Sequence, residues 1–417
     1  MKGSNQMIRI SDIISFLTAS SMLLFALRGK YGAILISILA IFILLLNLKK
    51  GVEKNYISIG YGIYLLVFAV IINCIRTLSY EYYLIIGYFA TSIICFNSSS
   101  INYTSFLKCL REIAIVEAFG IYLQRFLPQV YYFIMSIVLP SDVVSSIQNR
   151  LVSGYYTGFS REVSYTMFFI VIGLGIYIFG DGYLKHRSKN EKHTNILAIA
   201  FLFGALFLSG KRATLIFFIL ATIAAHFLRS KERLKLLKYL FGVVCGILIL
   251  WITRSFWLQI PALSRIAELV VFIGEKNLIG ITNGRTVIYE NAINLWKNSK
   301  LIGIGWGNFK YSVPSNLWYS GFDVHNCYLQ LLCETGIVGA VIFYILTIFS
   351  ISIAILAANK TQNSNQELHD LAVLSAFIQF FFFLYCFSEP VLYEYTDYIL
   401  YFICINISGK ILKNLKV

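Results

Sequence analysis

LQLLCETGIVGAVIFYILTIFSISIAILA, residues 329–357, is the stretch whose reading decides the fold class. After Glu334 it carries no charged residue, and it exceeds the roughly 20 apolar residues that cross a hydrocarbon core as a helix. Similar runs recur at 13–27, 31–48, 57–75, 82–96, 112–127, 163–180, 195–209, 213–228, 239–254, 371–387 and 391–407. Lipid offers no partner to a bare N–H or C=O, so such runs have to be helical. A barrel would need short alternating segments, whereas these runs are continuous. Composition agrees, with 58% of the 417 residues hydrophobic, 13% charged and a mean hydropathy of +0.73. The expectation is an all-α integral membrane protein of about twelve transmembrane helices, forming one polytopic domain over 1–417.

Charge sets the expected orientation, because short cytoplasmic loops gather Lys and Arg. With the N-terminus inside, LKKGVEK (48–54), KHRSKNEK (185–192), RSKERLKLLK (229–238) and GKILKNLK (409–416) all fall inside, and both termini are cytoplasmic. Arg28, Gly29 and Lys30 follow the first apolar run where a cleaved leader would have small residues, so that run reads as an anchor. The net charge of +15 comes mostly from the inner loops; no basic domain with interleaved aromatics exists, and nucleic acid is not an expected partner. Eight cysteines without a C-x-x-C pair suggest neither a disulfide framework nor a metal site.

Two long segments are then left outside, 128–162 and 255–328, the second lying between spans nine and ten. In the first, YYFIMSIVL (131–139) is too short to span and is expected at the interface. NRLVSGYYTGFSREVSY (149–165) follows, where Arg150, Arg161 and Glu162 sit with Gly154 and Gly158 just ahead of a helix; such glycines let backbone approach a ligand, and a helix start offers N–H groups to an anion. SGKRAT (209–214) sets Lys211 and Arg212 between two spans, where a charge at bilayer depth costs about 2.5–3.5 kcal/mol and needs a partner, expected to be an anionic ligand.

In the larger segment, Arg285 opens an amphipathic helix with Val287, Ile288, Ala292, Ile293, Leu295 and Trp296 on its apolar side. Gly303, Gly305 and Gly307 read as a tight turn, since no strand precedes them and no GK[ST] follows. His325 and Asn326 mark the mouth of the tenth span. Of five histidines only His325 faces outward, and near its ordinary pKa of about 6.5 it can take a proton from a hydroxyl or hold a phosphate. SEPVLYEYTD (388–397) gathers Glu389, Glu394 and Asp397, acids that either balance the basic cluster or form a solvated turn. Glu117 is left inside the fifth span.

The order of these pieces resembles the Wzy-like superfamily of O-antigen ligases and O-antigen polymerases: GFSREVSY before a span, LSGKRAT between two spans, then NGRTVIYENAINLW, IGIGWGNF and HNCYLQLLCETGIVG. The resemblance covers roughly residues 150–345 and is most specific in the last block. It implies a GT-C-like glycosyltransferase in the bacterial cytoplasmic (inner) membrane, its active site facing outside. The activity implied is that of a polysaccharide polymerase for an O-antigen of lipopolysaccharide or a capsule, moving glycan from undecaprenyl diphosphate onto a lipid-linked repeat unit, with inversion. By motif, Arg150, Arg161, Lys211 and Arg285 bind the diphosphate. Arg212, His325 and Glu162 are catalytic, and Asn326 and Glu389 orient the acceptor. No cofactor and no metal is implied. The implied partners are the undecaprenyl-diphosphate-linked oligosaccharide, the bilayer, a chain-length regulator and a flippase. A ligase transferring finished glycan to lipid A core or protein uses the same donor chemistry. A transporter is the alternative of another class, though its polar residues should sit at the midplane and not at the rim.

Overall fold

In the computed structural model, which describes residues 9–47, 55–76, 82–97, 100–184, 189–230, 261–363 and 365–415 with a few isolated positions between 242 and 253, all regular structure among the described residues is helical. The ninth expected span, 239–254, and the first residues of the large loop fall almost wholly outside them.

Helix α1 (Ile10–Asn47) breaks at Arg28, whose φ of −141° and ψ of 66° are not helical. A Cβ on Gly32 would lie 2.4 Å from Cα of Phe25, while seven residues of straight helix would separate the two by about 10 Å. The chain therefore folds back at Arg28, and α1 is a hairpin of two helices matching the runs at 13–27 and 31–48. Helix α2 (Tyr56–Leu65) continues through a π-helical stretch (Leu66–Ile72) to Asn73–Arg76, and α3 (Tyr82–Asn97) and α4 (Tyr103–Phe126) follow. Two shorter helices, α5 (Pro128–Val138) and α6 (Ser141–Val152), fill much of the first long loop before α7 (Val163–Phe179), α8 (Lys189–Leu208) and α9 (Arg212–Arg229). The large loop holds α10 (Pro261–Gly274) and α11 (Arg285–Asn298), the second starting at Arg285 as its periodicity predicts. Last come α12 (Cys327–Thr361), α13 (Gln366–Tyr385) and α14 (Tyr395–Asn414). Asn55, Asn102, Asn326 and Asn365 start α2, α4, α12 and α13 by accepting backbone N–H groups two or three residues on.

Among the described residues, four helical stretches are long and apolar enough to cross a membrane: α1 taken with both its halves, α9, α12 and α13. Helix α13 is the central one, with 78% of its apolar window buried against 33–39% in the other three. It packs on α9, α12 and α14, while α4 packs on α7 and the α1 hairpin on α3. Helices α7 and α14 are also buried on nearly all sides, the condition under which a helix can be apolar all round. Inside this core the Tyr61 hydroxyl keeps partners, meeting Thr347 at 2.7 Å and Tyr401 at 3.1 Å.

The two ends of the bundle differ. At one end Arg161 N–H donates to Ala26 O at 3.0 Å and Cys327 N–H to Cys386 O at 2.8 Å, drawing together the α1 turn, the 153–162 turn and the 386–394 turn. The large loop sits at this end, with an apolar cluster of Ile288, Ala292, Phe309, Val313 and Val324 seated on Cys333 of α12. At the opposite end Asn102 donates to Asp12 at 2.7 Å and Arg229 pairs with Asp370 at 3.5 Å.

Candidate active site

The site is built on a turn held from below by α4. Glu117, fully buried, accepts from Phe159 N–H at 3.0 Å, Ser160 Oγ at 2.7 Å and Thr166 Oγ1 at 3.1 Å. Gln124 accepts from Thr157 N–H at 2.8 Å. These bonds explain why the fifth apolar run tolerates a carboxylate and an amide. Gly158, at φ +60°, lets the turn come this close: a Cβ there would meet Glu117 Oε2 and Thr166 at 2.8 Å. The close approach expected of this glycine is thus made to the chain's own carboxylate. The turn delivers Arg161, Glu162 and Ser164 to the head of α7.

Beside it lies an ion-pair knot. Glu389, 3% exposed, receives Lys211 Nζ at 2.5 Å and Ser164 Oγ at 2.7 Å, with Arg285 Nη2 at 3.8 Å. Lys211 also donates to Ser164 Oγ at 2.6 Å, and Arg285 to Ser388 O at 2.7 Å. Burial acts to raise the Glu389 carboxyl, but Lys211, Arg285 and His325 outweigh it and hold it at about 2. Burial lowers the Lys211 ammonium, and Glu389 opposes that effect. The partner expected for the Lys211–Arg212 pair is therefore supplied from within the chain. Arg212, 8% exposed, spends its guanidinium on Arg265 O at 3.1 Å and Asn283 Oδ1 at 2.5 Å, tying the start of α9 to the large loop. The turn at 388–397 is not solvated either: Glu389 and Asp397 are each 3% exposed.

His325 occupies the left-handed region, φ +54°, immediately before the α12 cap. Its Nδ1 is buried and finds no partner among the described residues. Burial first, then Arg285, lowers its pKa, so the imidazole is neutral near pH 7. Asn326 has its Oδ1 committed to the N–H groups of Tyr328 and Leu329, both at 3.1 Å, which makes it the helix cap. The glycine turn that follows α11 docks on α12: Glu334, 1% exposed, accepts from Gly307 N–H at 2.6 Å and Phe309 N–H at 2.9 Å, and Gly305 N–H donates to Glu334 O at 2.9 Å.

Between these parts opens a cavity of about 650 Å³. Arg150, Arg161, Glu162, His325 and Glu389 all line it, joined by Lys310, Asp323, Glu394 and Asp397. Of the residues singled out in the sequence, Lys211 and Arg285 stand behind Glu389, and Arg212 and Asn326 are outside the lining. Glu162 forms a two-point pair with Arg150, one arm at 2.6 Å. Arg161 lies over the rings of Phe25 and Tyr165, 5.1 and 5.3 Å from their centres, with Nη2 donating to Tyr165 at 2.9 Å. Burial raises the Glu394 carboxyl to about 7 against the pull of Arg161. Sequence reading passed over Lys310, Asp323, Glu334 and Arg265. Asp323 stands two residues before His325, and Glu334 lies inside the most specific motif, so both had a local signal.

An all-helical bundle with membrane-length apolar helices and a charged cavity at one end defines a multi-pass membrane protein. Residues 197–344 match the model of a family described as O-antigen ligase, in agreement with the Wzy-like resemblance of the motifs in that stretch. Members of that family are glycosyltransferase-like enzymes. The matched segment contains Lys211, Arg212, Arg285 and His325, whereas Arg150, Arg161, Glu162 and Glu389 lie outside it. No curated protein matches the chain.

Proposed function

We propose that this protein is a polysaccharide polymerase of the outer face of a bacterial cytoplasmic membrane, transferring glycan from an undecaprenyl-diphosphate-linked donor to a lipid-linked repeat unit. The supporting observation is the cavity, which sets Arg150, Arg161 and Lys310 against a neutral His325 at one end of a membrane bundle. Twelve spans with both termini inside belong to the same reading, and each proposed span other than the ninth coincides with a described helix or half of the α1 hairpin.

In the reaction an acceptor hydroxyl oxygen attacks the anomeric carbon as the bond from that carbon to the diphosphate oxygen breaks, inverting the centre. The hydroxyl proton passes to His325. The cations stabilise charge growing on the departing diphosphate, where Arg forks make charge-assisted, two-point bonds. Glu389, held at about 2 by its cations, is too weak a base for the proton at neutral pH and serves to position Lys211 and Arg285. A ligase is the second reading, favoured by the family description of residues 197–344. The test is a strain lacking the gene, complemented with wild type, Arg161→Ala or His325→Ala, its surface and lipid-linked glycans resolved by length. Polymerase activity predicts single repeat units in place of a ladder in the deletion and both variants. Long lipid-linked chains missing only their final acceptor would mean ligase, and an unchanged ladder would overturn both.

A further inference from the structure

A second cavity of about 240 Å³ adjoins the first. Arg161, Lys310, Asp323 and Glu394 line both, so the two chambers share one charged wall. The far side of the smaller one is different in kind. Phe25, Leu84, Tyr88 and Tyr393 line it, and the tyrosines are fixed: Tyr88 OH donates to Tyr393 O at 2.6 Å, and the buried Trp306 packs on Tyr393 and Tyr88 with ring centres 4.7 and 5.5 Å apart. Nε of Arg161 is buried and finds no partner among the described residues. A buried donor left in that condition calls for a ligand or water atom. Carboxylates that accept from several hydroxyls, cations that donate to others and flat aromatic faces for the C–H side of a ring are what a monosaccharide needs, and the volume suits one sugar ring.

The geometry points to the smaller cavity as the acceptor subsite, holding the terminal sugar of the acceptor glycan through Asp323 and Glu394 while the larger cavity holds the donor diphosphate. This assignment rests on the transferase reading above. It places the attacking hydroxyl at the shared wall, which both chambers reach. Leu84 touches only the smaller chamber, so a larger side chain there should obstruct the acceptor and spare the donor.

The experiment uses the full chain in vesicles, with long lipid-linked glycan from wild-type cells as donor and fluorescent single lipid-linked repeat units as acceptor. Leu84→Trp should raise the acceptor KM at least tenfold, with the donor KM within twofold of wild type. Leu84→Phe gives the same comparison if the tryptophan variant does not fold. Unchanged acceptor KM in active variants, or equal changes in both KM values, would overturn the subsite and leave the transferase reading in place. Absence of any bond formation by the wild-type protein would instead overturn the transferase reading itself.

Discussion

At the scale of single residues the decisive fact is that the cations at this end of the bundle are not equivalent. Lys211 and Arg285 converge on Glu389, Arg212 is spent on Arg265 and Asn283, and Arg150 is paired with Glu162. Removing one member of a buried pair leaves an uncompensated charge, at a cost of about 3–5 kcal/mol. Glu389→Gln should therefore lower the melting temperature of the purified protein well beyond the double variant Glu389→Gln/Lys211→Met; equal losses would show that the pair is not coupled. Glu389 itself contributes stability fully present above the ordinary carboxylate range and lost as the pH falls from there towards about 2. His325 gives activity a dependence of the same sign, lost as the pH falls. Its depressed pKa keeps the base form populated at neutral pH, so the acid limb of kcat should fall below about 6.5. His325→Gln should lose about 10²- to 10⁴-fold in kcat, together with that limb. A limb that persists in the variant would assign the proton to another group. The residue types at the site were legible because a polar residue beside an apolar run is conspicuous. Their pairings were not, since Glu389 and Ser164 lie 225 positions apart and no local pattern records such a contact.

At the scale of elements, helix positions were legible from apolar runs because lipid leaves backbone no other way to pair its hydrogen bonds. The fold-back within α1 also had a signal, Arg28, Gly29 and Lys30 between two runs. Less visible was α6, whose apolar residues are few and whose last turn carries Arg150. The glycine turn shows how spacing can suggest the right shape without the reason for it. Gly303 and Gly336 both have positive φ, and a Cβ on either would stand 2.3 Å from backbone atoms of the opposite segment, Glu334 for Gly303 and Leu301 for Gly336. No rotamer change relieves a clash with backbone. Gly303→Ala or Gly336→Ala should cost more than the roughly 1 kcal/mol of an ordinary substitution and reduce the folded fraction in detergent, whereas Gly321→Ala, with open space around its Cβ, should incur only the strain of its positive φ. Equal stability of all three variants would contradict the packing described. Glu117→Leu should likewise destabilise, because it orphans the buried donors of the 157–166 turn.

At the scale of the whole molecule, the matched segment 197–344 does not contain the complete cavity. Arg150, Arg161 and Glu162 come from before it, and Glu389, Glu394 and Asp397 from after it. Cysteine labelling from the outside should modify substitutions at Val152 and Leu301, both exposed at the cavity end, and leave one at Asn414 unlabelled until the membrane is opened. The reverse pattern would invert the topology. One consequence of the Glu389 knot concerns the order of synthesis. Its partners leave the ribosome early, Ser164 and Lys211 first and Arg285 next, and they remain without their counter-ion until the turn after α13 emerges. A nascent chain halted before that turn would hold inserted helices and an uncompensated basic cluster, but no assembled centre. Completion of the site is thereby a late event in biogenesis, timed by the arrival of a single carboxylate.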